Sequence, residues 1–414
     1  MEERSPNTIT RWTSTSQLSL PATTKPPGPS NPPKPKVWII FGATGHMGRS
    51  MTKAALQHND HVTAVGQCLV DTQASVQNWH PDPSRYLGLL CDVRIRSTVA
   101  AVIEKTIAHF GRVDIIANST GYGVIGACED QDEAEIRNQF ETNFMGTLNI
   151  IQLSLPYFRR RQYGRYLILS STSGSLGVPG QGLYCASKYA VEGLIESMLY
   201  EVDGFNIRPT LVEPGHLRRD DTPIQPLTAG NSTVITKNNN TPSQANINNS
   251  TSKASALPIF GHFKVAKQSE PYTTKDSPAA HAKRTLQWMG ENQPVSSVKA
   301  AELVWQLGHC SYPPLRLLLG NYAVESIRDR LKTITEEIED WKHLAFPPLE
   351  GFEEKDGDED DEDDDQDDDA GAPEDDVDDD DADDRMDDSL PDLKKTTSIT
   401  PSVKQEPRDM DMSV

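Results

Sequence analysis

The chain has 414 residues, enough for two domains by length, and a net charge of −21 at neutral pH. That acidity is local: Glu353 to Asp388 holds 25 Asp and Glu against two basic residues, a net of −23, so the remainder sums to about +2. A near-neutral remainder lacks the basic footprint of a nucleic-acid binder, and no run approaches the ~20 apolar residues of a membrane span.

Residues 1–36 are rich in Ser, Thr and Pro and end in KPPGPSNPPKPK. This composition favours extended, solvated chain, and a disordered tail is expected there. It contains no long apolar stretch that could serve as a secretory signal, and Glu2 and Glu3 oppose a mitochondrial presequence. The five cysteines, Cys68, Cys91, Cys128, Cys185 and Cys310, are odd in number and lack C-x-x-C spacing. They read as reduced thiols in a cytoplasmic protein.

Between 37 and 217, short apolar runs alternate with helix-length amphipathic ones, the pattern of βαβ units on a parallel sheet. Strands are expected at VWIIF (37–41), HVTAV (61–65), within YLGLLCDV (86–93), at VDIIAN (113–118), RYLILSS (165–171) and IRPTLVEPG (207–215). Helices are expected after the first Gly-rich turn through Leu56, over 96–110, from about Gln131 to Phe158, and over 184–202. In the long one, Ile136, Phe140, Phe144 and Leu148 recur at helical spacing. After a low-complexity insertion at 219–256, a helix near 297–308, a strand at 314–320 and a closing helix from Tyr322 to His343 complete one α/β domain over 37–350.

The expected fold is therefore a doubly wound parallel sheet. The N-x-S/T triplets at Asn231, Asn239, Asn248 and Asn249 read as chance in an Asn/Ser-rich tract. Residues 351–414 form an acidic tail that cannot bury enough apolar surface to offset its ordering entropy. It is a solubilising run, a docking site for a basic protein or an intramolecular screen over basic patches, and VKQEP around Lys404 matches a short sumoylation consensus.

Four features carry chemistry. IIFGATGHMGRS (39–50) runs a strand into a Gly-rich turn that opens a helix, where backbone N–H groups can meet a pyrophosphate. Tyr184 and Lys188 stand at i, i+4 on one helical face. A tyrosine with an unperturbed pKa of ~10 needs a neighbouring cation to exchange its proton near neutrality. Ser171, 13 residues before Tyr184, can bond an oxygen whose charge changes during reaction. Asn143, a mediocre helix former in mid-helix, is either solvated or supports a local kink. Each has a plain reading as well: packing glycines, a surface Tyr–Lys pair, a Ser-rich turn.

Taken in order, with NSTG at 118–121 and Pro214-Gly215 after the sixth strand, these residues resemble a short-chain dehydrogenase/reductase, strongly over 37–217 and weakly over 297–343. The resemblance implies that Tyr184 is the acid/base, Lys188 holds the nicotinamide ribose, Ser171 orients the substrate and Asn143 supports a proton relay. It implies cofactor contacts from Gly42, Thr44, Gly45, Met47, Gly48 and Arg49, an adenine contact from Asp92, and further contacts from Asn118, Gly121, Pro214 and Gly215. Two departures stand out: Phe41 and His46 replace the Thr and middle Gly of the usual turn, and Gly66 stands where NAD users carry an acid. The missing acid leaves room for a 2′-phosphate that Arg49 could pair, although Gln67 stands where many NADP users have Arg. NADP(H) is the favoured cofactor and NAD(H) the second option.

The expected function is hydride transfer between NADP(H) and a carbonyl or alcohol substrate, with a homodimer as the family's usual state and no metal, since the histidines show no ligand spacing. Arg159, Arg160 and Arg161 read as solvated helix-end charges, and Trp38, Trp79, Trp288 and Trp305 as packing residues. The rival reading is a non-catalytic NAD(P)-binding regulatory or scaffold protein, favoured by the altered turn, the insertion and the charged tail.

Overall fold

A computed structural model describes residues 18–68, 71–218, 259–260, 263–292 and 296–344. The chain divides into two units, Met1–Phe346 and Pro347–Val414, and every described residue belongs to the first. The acidic tail, Lys404 and the 219–256 insertion lie outside the described residues.

Seven strands form one parallel sheet: β1 (Val37–Phe41), β2 (His61–Gln67), β3 (Tyr86–Cys91), β4 (Ile115–Asn118), β6 (Gly164–Leu169), β7 (Ile207–Pro214) and β10 (Arg316–Leu319). Their spatial order is β10-β7-β6-β4-β1-β2-β3. Helices α1 (His46–Gln57), α2 (Gln73–Gln77), α3 (Arg96–Phe110), α5 (Gly146–Arg161), α6 (Gly182–Val202) and α8 (Ser297–His309) cover its faces. The central strand is apolar throughout because both faces are covered. Trp38 and Ile40 point into a core with α1 and α8, while Ile39 and Phe41 point into one with α3, α5 and α6. This is the doubly wound architecture expected from the sequence.

A second sheet, β5 (Gly123–Ile125), β9 (Phe263–Val265) and β8 (Ile259–Phe260), sits beside it in the order β5-β9-β8. Strands of two or three residues show no alternation to read. Helix α7 (Pro278–Asn292) was also not foreseen, although Ala279, Ala282 and Leu286 carry a helical spacing and are buried together with Phe263. Helix α9 (Asn321–Trp341) closes the unit.

Two expectations are corrected. The long helix is not one regular α-helix: α4 (Glu133–Phe140) and α5 are joined by a π turn over Glu141–Met145. The Pro-rich stretch is extended and mostly exposed over its described part, but it is not a free tail: it straps the C-terminal end of α8. Leu20 is buried in the core, and Gln306 accepts from Leu20 N at 3.0 Å and donates to Leu18 O at 2.9 Å. Lys36 Nζ donates to Gly308 O and Asn31 Nδ2 to His309 O, at 2.7 and 3.2 Å. Those carbonyls have no partner within a helix end, so the strap satisfies what α8 leaves open.

Beneath the strap, Asp60 is fully buried. Its Oδ2 accepts from Trp38 Nε1 (2.8 Å) and Trp305 Nε1 (2.9 Å) and lies 2.8 Å from His309 Nε2, while Oδ1 accepts from Lys36 N at 2.8 Å. Replacing Asp60 by Ala strands these buried groups and should cost about 3 kcal/mol or more, since each unsatisfied buried group costs about 1–3 kcal/mol. Urea denaturation measures it; a loss below ~1 kcal/mol would show that the strap and α8 hold without this hub.

Candidate functional site

A cleft of about 170 Å³ opens at the carboxyl ends of the central strands. Nine of the residues singled out in the sequence line it: Gly45, Met47, Gly48, Gly121, Ser171, Tyr184, Lys188, Pro214 and Gly215. His46 and His216 line it too. Gly42, Thr44, Arg49, Asp92, Asn118 and Asn143 do not, and their contacts show what they do instead.

At one end of the cleft, α1 begins at Gly45 with no side-chain cap, so first-turn N–H groups remain available to an anion. Gly42 has φ +75°, and a Cβ there would lie 2.9 Å from Ser119, so the turn presses against the strand beside it. Thr44 donates its hydroxyl to Asp71 Oδ2 at 2.8 Å. Arg49 lies over the Trp79 ring, 5.1 Å from its centroid. Asp92 is ion-paired with Arg94 at 2.6 Å, and that hydrogen bond holds its carboxyl below the usual range.

At the other end stand Tyr184 and Lys188 on α6. Tyr184 is buried against Phe263, ring centroids 5.0 Å apart in an edge-to-face pair. Burial pushes its phenol pKa up, and a hydrogen bond with the Ser171 side chain partly opposes that shift. Lys188 Nζ donates to Leu169 O at 3.0 Å and lies 5.8 Å from the Tyr184 ring centroid. Burial pushes its pKa down to about 8, with the charge of Glu192 acting the other way. Ser171 caps the turn after β6 by accepting from Ser173 N at 3.2 Å.

Asn143 does its work from below the cleft. Its Oδ1 accepts from Tyr122 N at 3.0 Å, and its Nδ2 donates to Tyr122 O and to Ser187 Oγ, both at 2.9 Å. One turn earlier, Gln139 Oε1 accepts from Val124 N at 3.0 Å, and Gln131 Nε2 donates to Val124 O at 3.3 Å. Two residues of strand and four of helix advance nearly the same distance, ~6–7 Å, so side-chain amides serve the strand edge as a neighbouring strand would. This is why Gln139 and Asn143 are buried while the apolar stripe Ile136, Phe140, Phe144 and Leu148 is only half-buried. Asn118 steadies the same corner: Nδ2 donates to Thr147 Oγ1 at 2.9 Å, and Oδ1 accepts from Thr120 N at 3.1 Å. Gly121 between them has φ +144°, and a Cβ there would lie 2.9 Å from Asn143 Oδ1.

The sequence reading missed Glu192, Glu213 and Arg316. Glu192 lies one turn beyond Lys188 on α6, is buried, and accepts from Ser170 Oγ (2.6 Å) and Ser175 Oγ (3.1 Å), clamping both flanks of Ser171. Arg316 reaches Glu192 at 3.2 Å and Glu213 at 2.9 Å. Burial, with the Glu192 charge, raises Glu213 to about 8. The i, i+4 step from Lys188 to Glu192 was a readable signal; Arg316 joins them only through the fold. Among the described residues no group of three His, Cys, Asp or Glu gathers to hold a metal. No described helix is long and apolar enough to cross a membrane.

Comparison with known proteins bears on this site. The family described as short chain dehydrogenase matches residues 36–225. A 3-ketodihydrosphingosine reductase of Bacteroides thetaiotaomicron is 34% identical over 205 residues, covering 48% of this chain and 71% of its own. Oxidoreductase BOA17 of Botryotinia fuckeliana is 27% identical over 310 residues, covering 75% and 98%. The crystal structure of a short-chain dehydrogenase from Streptomyces avermitilis superposes with a TM-score of 0.60 at 25% identity, covering 75% of this chain and 98% of that one.

The Lys188–Glu192 pair makes a prediction about charge. Because burial holds Lys188 near 8, the folded chain releases this proton before the unfolded chain does. Stability from this group therefore rises with pH from about 8 to the ordinary lysine value of ~10.4. Glu192→Gln removes the charge that keeps Lys188 protonated, so the lysine midpoint should fall below the wild-type value in a side-chain ¹⁵N NMR titration. An unchanged or higher midpoint would show that Glu192 does not act on Lys188.

Proposed function

The chain belongs to the short-chain dehydrogenase family, and on that premise we propose that it transfers a hydride between a nicotinamide dinucleotide and a carbonyl or alcohol substrate, with Tyr184 as acid/base. The observation that carries this reading is the continuity of the cleft. One cavity joins the uncapped start of α1 to Ser171, Tyr184 and Lys188. The fit is physical: N–H groups at the first helix suit a pyrophosphate, and Gly121 and Gly215 keep the floor free of side chains.

When bound, the dinucleotide supplies the hydride. The residues of this chain supply position and a proton. Lys188 and the backbone at Pro214-Gly215 would hold the nicotinamide end; the α1 N-terminus, through Gly45, Met47 and Gly48, would hold the diphosphate. Ser171 donates to the substrate oxygen, where negative charge grows as the carbonyl carbon accepts hydride. Tyr184 gives its proton to that oxygen, and the Lys188 ammonium stabilises the phenolate left behind. Burial favours the protonated phenol at rest, which suits the reductive direction. Asn143 touches neither partner in this scheme; it positions the 121–124 edge through Tyr122.

Beyond Ser171, Val178, Phe263, Leu286 and Tyr322 line a smaller cavity and support a substrate with an apolar flank. Sequence favours NADP(H) through Arg49 and the absent acid at Gly66. Exposed Met145 and Tyr189, with the half-buried stripe on α4 and α5, support pairing of two copies through the long helices. Replacing Tyr184 by Phe should lower kcat/KM for carbonyl reduction by about 10²–10⁴, with dinucleotide affinity changed less than about threefold. Steady-state kinetics together with nicotinamide fluorescence checks both; a Tyr184→Phe enzyme of full activity would remove Tyr184 from the chemistry.

A further inference from the structure

Position 66 at the end of β2 is a glycine, yet the space beside it is not empty. A Cβ built on Gly66 would lie 2.8 Å from Asp71 Oδ2 and 3.1 Å from Thr44 Cγ2. Asp71 N donates to Gln67 O at 2.8 Å, and Gln67 N donates to Asp71 Oδ2 at 2.7 Å. Thr44, within the Gly-rich turn, donates to the same oxygen at 2.8 Å. A carboxylate from five residues downstream thus occupies the position a side chain at 66 would take.

We propose that Asp71 is the residue that selects the dinucleotide, and that it selects NAD(H) over NADP(H). The inference rests on the dinucleotide reading above and reverses the preference drawn from sequence. The carboxyl end of the second strand is where a nucleotide-binding βαβ unit meets the adenosine ribose, and a carboxylate there accepts from ribose hydroxyls. Its Oδ2 is used by Thr44 and Gln67, and among the described residues no hydrogen bond to Oδ1 is recorded, which leaves an acceptor for a hydroxyl. A 2′-phosphate would bring two negative charges against this anion. The cation that could offset them, Arg49, has its guanidinium against the Trp79 ring. The two hydrogen bonds hold the acid in place although it lies outside the strand.

The test is direct binding, independent of turnover. NADH and NADPH are titrated separately into wild-type protein and into Asp71→Asn, with dissociation constants read from nicotinamide fluorescence. Wild type should bind NADH at least tenfold more tightly than NADPH. Asp71→Asn keeps the acceptor oxygen but removes the charge, and should shrink that ratio about tenfold, chiefly by improving NADPH. Circular dichroism confirms the variant's fold, and Asp71→Ser serves in its place if the amide disturbs the loop. Wild type binding NADPH as tightly as NADH, or a ratio unmoved by both variants, overturns the assignment. Binding of neither dinucleotide by wild type overturns the dinucleotide reading itself, and the assignment with it.

Discussion

The constraint on which the rest of this structure depends is the reversal of strand order between β1 and β4. From β1 the chain winds outward through β2 and β3; from β4 it winds the other way through β6, β7 and β10. Parallel strands need crossover connections of one hand, so the two directions place their first helices on opposite faces and leave a crevice where they part. The register keeps the strand ends level there, with Phe41 beside both Val65 and Asn118. Glycines at 42, 45 and 121 keep that crevice open, and residues far apart in sequence, from Gly45 to Gly215, end on its walls.

Polarity inside the helix that follows β5 has the same origin. Helix α4 packs against an edge strand whose backbone groups would otherwise be buried without partners. Gln131, Gln139 and Asn143 supply amides to Val124 and Tyr122, and the π turn over Glu141–Met145 includes Asn143 itself. Buried backbone donors and acceptors are almost always paired, and a missing strand is expensive unless something stands in for it. A helix with buried amides and half-buried phenylalanines is the result, which inverts the usual amphipathic arrangement.

Electrostatics in the site are set by desolvation and then trimmed by a few contacts. Burial raises the Tyr184 phenol and lowers the Lys188 ammonium, so isolated from one another both groups would tend toward neutrality. Glu192 resists the loss of charge on Lys188 while its oxygens tether Ser170 and Ser175. One residue thereby couples the position of the Ser171 loop to the charge of the lysine. Arg316, on the edge strand β10, pairs with Glu192 and reaches the buried Glu213, so the last strand of the sheet contributes to the site.

Much of this was legible without coordinates. Apolar runs of strand length, a strand-to-glycine turn, and the Tyr184–Lys188 step are local patterns, governed by backbone geometry over a few residues. They determined the doubly wound sheet, the helices at 96–110 and near 184–202, and the candidates Ser171, Tyr184 and Lys188. What escaped were contacts whose partners are distant or lack a period of their own: the three-residue strand β5, the strap on α8, the clamp of Arg316, the carboxylate of Asp71 folded back onto Gly66. The absence of an acid at position 66 reads correctly from the chain and misleads about the space beside it. Sequence by itself determined which elements form, because hydrophobic period and turn chemistry are properties of neighbouring residues; only tertiary structure decided which charges face the crevice, because loop closure brings side chains to places their sequence positions do not name.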